Sequence, residues 1–216
     1  MEGIKGYILI ALVSYIIGNF NFSIIFSKTL LKKDVRDYGS GNAGFTNALR
    51  SFGAKLGTFV LLCDIAKGVL AVYLAKFVIM AKPDLIAGFV AGLFVAIGHI
   101  YPALFNFRGG KGVATIAGVL LMSDWQSFIV GLILFLIVLF SCGYMSVASM
   151  SLAVIIPVVT FLYNLLVYEQ SITYCLTAAI LGLLLGLLII FTHRTNIKRL
   201  KEGTESKLIK RKNKNG

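Results

Sequence analysis

The chain has 216 residues, of which 58% are hydrophobic and only 14% charged, and it carries a formal net charge of +12. Soluble domains have about a quarter of their residues charged, so this balance excludes a soluble globular enzyme and implies an integral membrane protein with a basic face. The three cysteines, Cys63, Cys142 and Cys175, sit in or at the ends of apolar runs with no CxxC pair, and they read as small hydrophobes rather than disulfide partners or metal ligands.

Seven apolar runs follow one another along the chain: Tyr7–Phe26, Leu56–Val78, Leu85–Leu104, Val113–Met122, Phe128–Ser141, Val147–Tyr168 and Thr173–Phe191. Most approach the roughly 20 residues that cross a bilayer core, while the fourth and fifth are short. The first run lacks a small-residue cleavage site followed by a polar mature domain, so it is expected to be a retained span. Between the fourth and fifth runs, Ser123-Asp124-Trp125-Gln126-Ser127 is expected to form a tight turn at a membrane surface, with Trp125 at the interface.

Charge sets the topology. With seven spans, every Lys and Arg except Lys5, Lys67, Lys76 and Lys82 falls on one side of the membrane. Cytoplasmic loops carry the excess of basic residues, so the expectation is an all-α polytopic protein of seven transmembrane helices with its N-terminus outside and its C-terminus cytoplasmic. The soluble stretches are too short for a second domain, so residues 1–216 are expected to form one membrane domain with a basic tail from about residue 194.

That topology gathers several polar stretches on the cytoplasmic face. The first is Gly39-Ser40-Gly41-Asn42, continuing through Thr46, Asn47 and Arg50. Its glycines and small donors suit an anion-binding nest with Arg50 as a bidentate phosphate contact, although an Asn/Gly/Ser turn capping the next helix would read the same. The second is Phe107-Arg108-Gly109-Gly110-Lys111-Gly112, preceded by Gly98-His99-Ile100-Tyr101-Pro102. Three glycines permit close backbone approach, Arg108 and Lys111 bring cations, and the helix expected from Val113 would add its positive end. Successive N–H groups pointing into one concavity would make this stretch a phosphate cradle, though its spacing is not that of a Walker A loop and a basic, glycine-rich hairpin would look similar. His99, near a helix end, reads as a ligand to substrate or a satisfied interfacial histidine, and the second is favoured for want of a partner.

The third stretch holds Tyr144, Ser146, Ser149 and Ser151, and the last runs from Thr192 to Leu200, where helical spacing would aim His193 and Asn196 the same way. Inside the second span, Asp64 and Lys67 lie three apart, which suits an intrahelical ion pair, with a lining role in a polar site as the alternative. The face is built to hold anions, with one water-soluble and one lipid-like partner. No His/Asp/Cys cluster suggests a metal.

Gly39-Ser40-Gly41-Asn42 with Thr46-Asn47-x2-Arg50, Gly98-His99-x2-Pro102 with Phe107 to Gly112, and His193-Arg194-x-Asn196-Ile197-x-Arg199-Leu200-x2-Gly203-Thr204-Glu205 closely resemble the motifs of the bacterial acyl-phosphate:glycerol-3-phosphate acyltransferases. The resemblance covers nearly the whole chain. It implies a seven-helix enzyme of the cell membrane, active at the cytoplasmic face, that acylates glycerol 3-phosphate from acyl phosphate to give lysophosphatidic acid. Where that family usually reads Thr-Arg-Tyr before its serines, this chain has Ser141-Cys142-Gly143-Tyr144 and lacks the basic side chain. The His-x4-Asp pattern of thioester-dependent glycerol-3-phosphate acyltransferases is absent, since Leu104 and Lys198 stand five residues after His99 and His193.

On that resemblance, Ser40, Arg50, Lys111, His193 and Asn196 are the expected catalytic residues. Gly39, Gly41, Asn42, Asn47, Arg108, Gly109, Gly110 and Gly112 are the expected substrate-binding residues, with Ser146 or Ser149 supplying the functional serine. Glycerol 3-phosphate, acyl phosphate and membrane lipid are the expected partners of a monomeric enzyme that needs no cofactor or metal and binds no nucleic acid. A membrane transporter of a phosphorylated metabolite is the competing expectation, and it would call for inverted repeats and more polar residues at mid-span.

Overall fold

The computed structural model describes residues 3–82 and 84–209, so the end of the expected basic tail, residues 210–216, lies outside the described residues. Among the described residues the fold is all-helical, with ten α-helices. They are α1 Ile4–Asn19, α2 Phe22–Leu31, α3 Phe45–Phe52, α4 Ala54–Tyr73, α5 Leu85–Ile100, α6 Val113–Ser123, α7 Trp125–Cys142, α8 Met145–Leu166, α9 Ile172–Thr192 and α10 Arg194–Lys201. Six stretches are long and apolar enough to cross a membrane, and α6 is a shorter apolar helix among them. Their outward positions carry large apolar side chains, such as Ile133, Ile137 and Phe140 of α7, as expected of a multi-pass membrane protein.

Two expected elements differ. The first apolar run is broken, because α1 ends at Asn19 and α2 restarts at Phe22. Asn21 drives the restart by accepting the Ile24 N–H at its side-chain oxygen, an N-cap bond, while Asn19 returns its amide to the Tyr15 carbonyl. The expected polar turn of five residues shrinks to Asp124, since α6 runs to Ser123 and α7 starts at Trp125. Gln126 and Ser127 can be helical and buried because their side chains find hydroxyl partners, Tyr168 and Thr160, the latter at 3.1 Å. The second run does form one long element: α4 continues into a π-helical turn, Leu74–Ile79.

The chain divides into two compact units, residues 1–125 and 126–216. In the first, α1 packs on α5 and α4 on α6; in the second, α8 packs on α9. Apolar lipid tails give helices no hydrophobic reason to associate, so packing relies on small residues that let backbones touch. A Cβ on Gly98 would strike the Tyr15 carbonyl and the Cα of Gly18 across the α1–α5 seam. One on Gly118 would strike the Ile65 carbonyl across the α4–α6 seam, and one on Gly186 the Ala153 carbonyl between α8 and α9.

Gly118→Ala should therefore lower thermal stability in detergent by about 1–3 kcal/mol, the usual cost of overpacking. Gly131→Ala, whose Cβ would meet only the Leu152 Cδ2 at 3.2 Å, should change it by far less. Equal midpoints for the two variants would contradict backbone contact at the α4–α6 seam.

Candidate active site

In the first unit the polar stretches are held by Asn47, a residue of the first motif, and by Arg36, outside the motifs. Asn47, on α3, is 2% exposed and spends its amide on the backbone: Nδ2 donates to the Val35 and Tyr38 carbonyls at 3.0 and 2.9 Å, and Oδ1 accepts the Ser40 N–H at 2.9 Å. It is the clamp that shapes the Gly39–Asn42 turn, where Gly39 and Gly41 have φ of 58° and 71°. Ser40 and Arg50 stand exposed on this segment, and Asn42 is half-buried.

The glycine-rich loop is held on the end of α5. The N–H groups of Phe107, Arg108, Gly109 and Gly110 donate to the Pro102, Phe105, Ile100 and His99 carbonyls. The expectation of successive N–H groups facing a ligand fails for these four, because the loop turns them inward, two onto the last carbonyls of α5 and two onto the turn that follows it. Gly109 and Gly110 serve close packing instead: a Cβ on Gly109 would meet the His99 carbonyl, and one on Gly110 would meet His99 Nε2 and the Ala43 carbonyl. Gly112, at φ 81°, starts α6. Arg108 is exposed, and its side chain has no hydrogen bond or ion pair among the described residues, while Lys111 is half-buried.

Arg36, which sequence reasoning passed over, ties the two stretches together. Its Nη1 donates to the Phe105 carbonyl at 2.9 Å and the Arg108 carbonyl at 3.2 Å, while Nε and Nη2 grip Asp34 at 3.0 and 2.7 Å. This two-pronged bond, reinforced by Lys28 at 3.2 Å, holds the Asp34 carboxyl well below the usual carboxylate range although burial pushes the other way. The only sequence signal was a basic residue two after an acidic one in a loop.

Beneath the loop lies a buried polar cluster. Lys67 Nζ lies 2.9 Å from Asp64 Oδ1, 3.0 Å from the Phe20 carbonyl and 2.7 Å from His99 Nδ1. Asp64, Lys67 and His99 are 1%, 4% and 2% exposed. The Phe20 carbonyl is available because α1 stops one residue earlier, and Asn21 also donates to the Ala43 carbonyl at 3.1 Å. The ion pair expected within α4 is present, and His99 has the partner the sequence could not reveal.

In the second unit the organising residue is Glu205. Helix α10 ends in a left-handed Gly203 at φ 68°, with Thr204 N–H donating to the Arg199 carbonyl and Gly203 N–H to that of Leu200. This Schellman turn folds the chain back on the helix. The Glu205 carboxylate then accepts from Ser146 Oγ at 2.8 Å, Asn196 Nδ2 at 2.6 Å and Arg199 Nε at 2.8 Å. Burial pushes its pKa up, but these three donors outweigh that and leave it below its ordinary value. Ser146 and Asn196 are thus brought together, whereas the Ser149 hydroxyl donates back to the Met145 carbonyl at 2.8 Å. His193, 3% exposed, caps α9 and sets its Nδ1 2.8 Å from the Ile189 carbonyl. A carbonyl only accepts, so Nδ1 carries the hydrogen and the lone pair of the neutral ring lies on Nε2. Among the described residues no group of three His, Cys, Asp or Glu could hold a metal.

The sequence matches the glycerol-3-phosphate acyltransferase family over residues 8–203. It is 42% identical over 203 residues to the glycerol-3-phosphate acyltransferase of Finegoldia magna, covering 94% of this chain and 96% of that one. It is 39% identical over 202 residues to glycerol-3-phosphate acyltransferase 2 of Bacillus anthracis, covering 94% and 99%. Among solved structures it is similar to PlsY, an integral membrane glycerol 3-phosphate acyltransferase. The glycerol 3-phosphate form matches with TM-score 0.78 at 31% identity over 93% of this chain and 94% of that one. The lysophosphatidic acid form matches with TM-score 0.74 at 30% identity over the same shares.

Asp34 and Glu205 both have depressed pKa values, so the stability they contribute is complete above the unfolded-state values and is lost as pH falls through the folded-state ones. The thermal midpoint in detergent should therefore carry their full contribution, without pH dependence from them, between pH 8 and 6 and should fall below about pH 4.5, with the Asp34 share lost at the most acid end. Glu205→Gln should cost about 1–3 kcal/mol at pH 7 and flatten the first part of that acid decline. A Gln variant with an unaltered acid profile would contradict the paired carboxylate.

Proposed function

The chain belongs to the glycerol-3-phosphate acyltransferase family and is an acyltransferase; from that premise we propose that it transfers a fatty acyl group from acyl phosphate to the sn-1 hydroxyl of glycerol 3-phosphate. The products are lysophosphatidic acid and phosphate. What most supports this reading is that one family match spans residues 8–203 and so takes in the Gly39–Arg50 and Phe107–Gly112 stretches and the segment from His193 to Gly203. The transporter reading has no observation in its favour.

The hydroxyl oxygen forms a bond to the acyl carbonyl carbon, the bond from that carbon to the bridging oxygen breaks, and phosphate leaves with the electron pair. Phosphate is a good leaving group, so the harder task is to bring two anions together. Two unit charges about 4 Å apart repel by about 4 kcal/mol at an effective dielectric near 20. Arg50, Arg108 and Lys111 offset that repulsion, and the Gly39–Asn42 turn with Ser40 and Asn42 holds phosphate or the carbonyl oxygen. Gly109, Gly110 and Gly112 keep the loop close enough for its cations to act, and Asn47 contributes through the turn it clamps. His193 and Asn196 orient glycerol 3-phosphate. Ser146, already aligned by Glu205, is the better supported of the two serines. A substrate phosphate, with a second pKa near 6, accepts the hydroxyl proton.

The enzyme acts as a monomeric single domain in the cell membrane. It crosses seven times, the six long stretches and α6, with its N-terminus outside and its active face and C-terminus cytoplasmic. The weight of basic residues in alternate loops supports that orientation.

Purified enzyme given acyl phosphate and labelled glycerol 3-phosphate should form labelled lysolipid. Arg50→Ala and Lys111→Ala should each lose at least about 100-fold in kcat/KM, as loss of a charge-assisted contact in the transition state predicts. His193→Ala should raise KM for glycerol 3-phosphate more than it lowers kcat; the reverse would make His193 the base. A reporter fused after Gly216 should be active only in the cytoplasm.

A further inference from the structure

The Lys67 ammonium has three N–H bonds to give and three acceptors in reach, Asp64 Oδ1, the Phe20 carbonyl and His99 Nδ1. It has no lone pair, so His99 Nδ1 must accept. Asp64 Oδ1 is the other group facing that nitrogen, and at 3.6 Å it is beyond hydrogen-bond range. The neutral imidazole is thereby fixed as the tautomer with its hydrogen on Nε2. That N–H has no hydrogen-bond partner among the described residues, although the His99 side chain is only 3% exposed. The nitrogen is not among the fully enclosed polar atoms, so this donor at the edge of the cluster is left for a ligand to use.

Its surroundings say which ligand. Nε2 lies close enough to Gly110 that an added Cβ there would strike it, beside the glycine loop whose N–H groups from Phe107 to Gly110 are turned away to backbone carbonyls. An oxygen arriving at this loop therefore meets the imidazole N–H in place of that stretch of backbone. We propose that His99 is a substrate-binding residue, its Nε2–H donating to a phosphoryl oxygen held at the Gly110–Gly112 end of the loop, with Lys67 as the positioning residue that aims it. The identity of that phosphate as part of glycerol 3-phosphate or acyl phosphate rests on the acyltransferase reading; the donor itself does not.

The chain has two histidines, so 15N-histidine labelling of the wild-type enzyme in detergent gives only two imidazoles to resolve. They should be opposite tautomers, Nδ1–H at His193 and Nε2–H at His99, told apart with a His193→Ala sample. Adding inorganic phosphate, and separately glycerol 3-phosphate, should shift the His99 Nε2 signal. His99→Gln, whose amide N–H falls near the place of Nε2, should keep phosphate affinity within about threefold, whereas His99→Asn, whose amide ends near Nδ1, should lose at least about tenfold by calorimetry. A hydrogen on Nδ1 of His99, no shift with either ligand, or equal affinities of the two variants would overturn the proposal. Should phosphate shift His99 in an enzyme that makes no lysolipid, the donor assignment stands and the acyltransfer reading falls.

Discussion

The first unit is arranged around a single ammonium group. An isolated lysine at bilayer depth costs about 2.5–3.5 kcal/mol on insertion scales, so Lys67 is tolerable only with an ion pair and hydrogen-bond acceptors around it. The acceptors come from α4 itself, from α5 and from the Phe20 carbonyl at the break between α1 and α2. The break and the lysine thus explain each other. Interrupting a membrane helix strands a carbonyl, and a stranded carbonyl needs a donor. Asn21 extends the same junction outward by bonding the Ala43 carbonyl, next to the turn that precedes α3.

From that junction the loops inherit their rigidity. Arg36 holds the Phe105 and Arg108 carbonyls and Asn47 holds the backbone on either side of Arg36, so both loops are fastened by side chains bonded to main-chain oxygens. The backbone N–H groups from Phe107 to Gly110 are thus spent within the fold, which leaves side chains as the groups this stretch presents. Cations such as Arg108 keep their charge whatever the local polarity, whereas backbone dipoles act only when correctly aimed.

Much of this was legible in the sequence, for identifiable reasons. Hydropathy located the spans because burial in lipid demands long uninterrupted apolar runs, and the glycine and basic motifs stood out against them. What escaped notice was polar pairing over long sequence separation. The break at Asn19–Asn21 hides in an apolar run because its logic lies in Lys67, forty-seven residues from Phe20. Asn47 reads as a ligand in the sequence, and its bonds to the Val35, Tyr38 and Ser40 backbone are not legible there, since an amide with two donors and an acceptor suits many partners. Gly203 and Glu205 were visible as letters of a motif, but the Schellman turn that swings the carboxylate onto Ser146 and Asn196 follows only from the backbone.

The last described segment carries a practical lesson. The Gly143 carbonyl receives the N–H groups of Leu208 and Ile209, and Lys207 lies 5.2 Å from the centre of the Tyr144 ring. Because main-chain atoms make the first of these contacts, the segment is held by its path more than by its side-chain identities. Anyone trimming the protein for crystallisation should leave it whole as far as residue 209 and place affinity tags beyond that point.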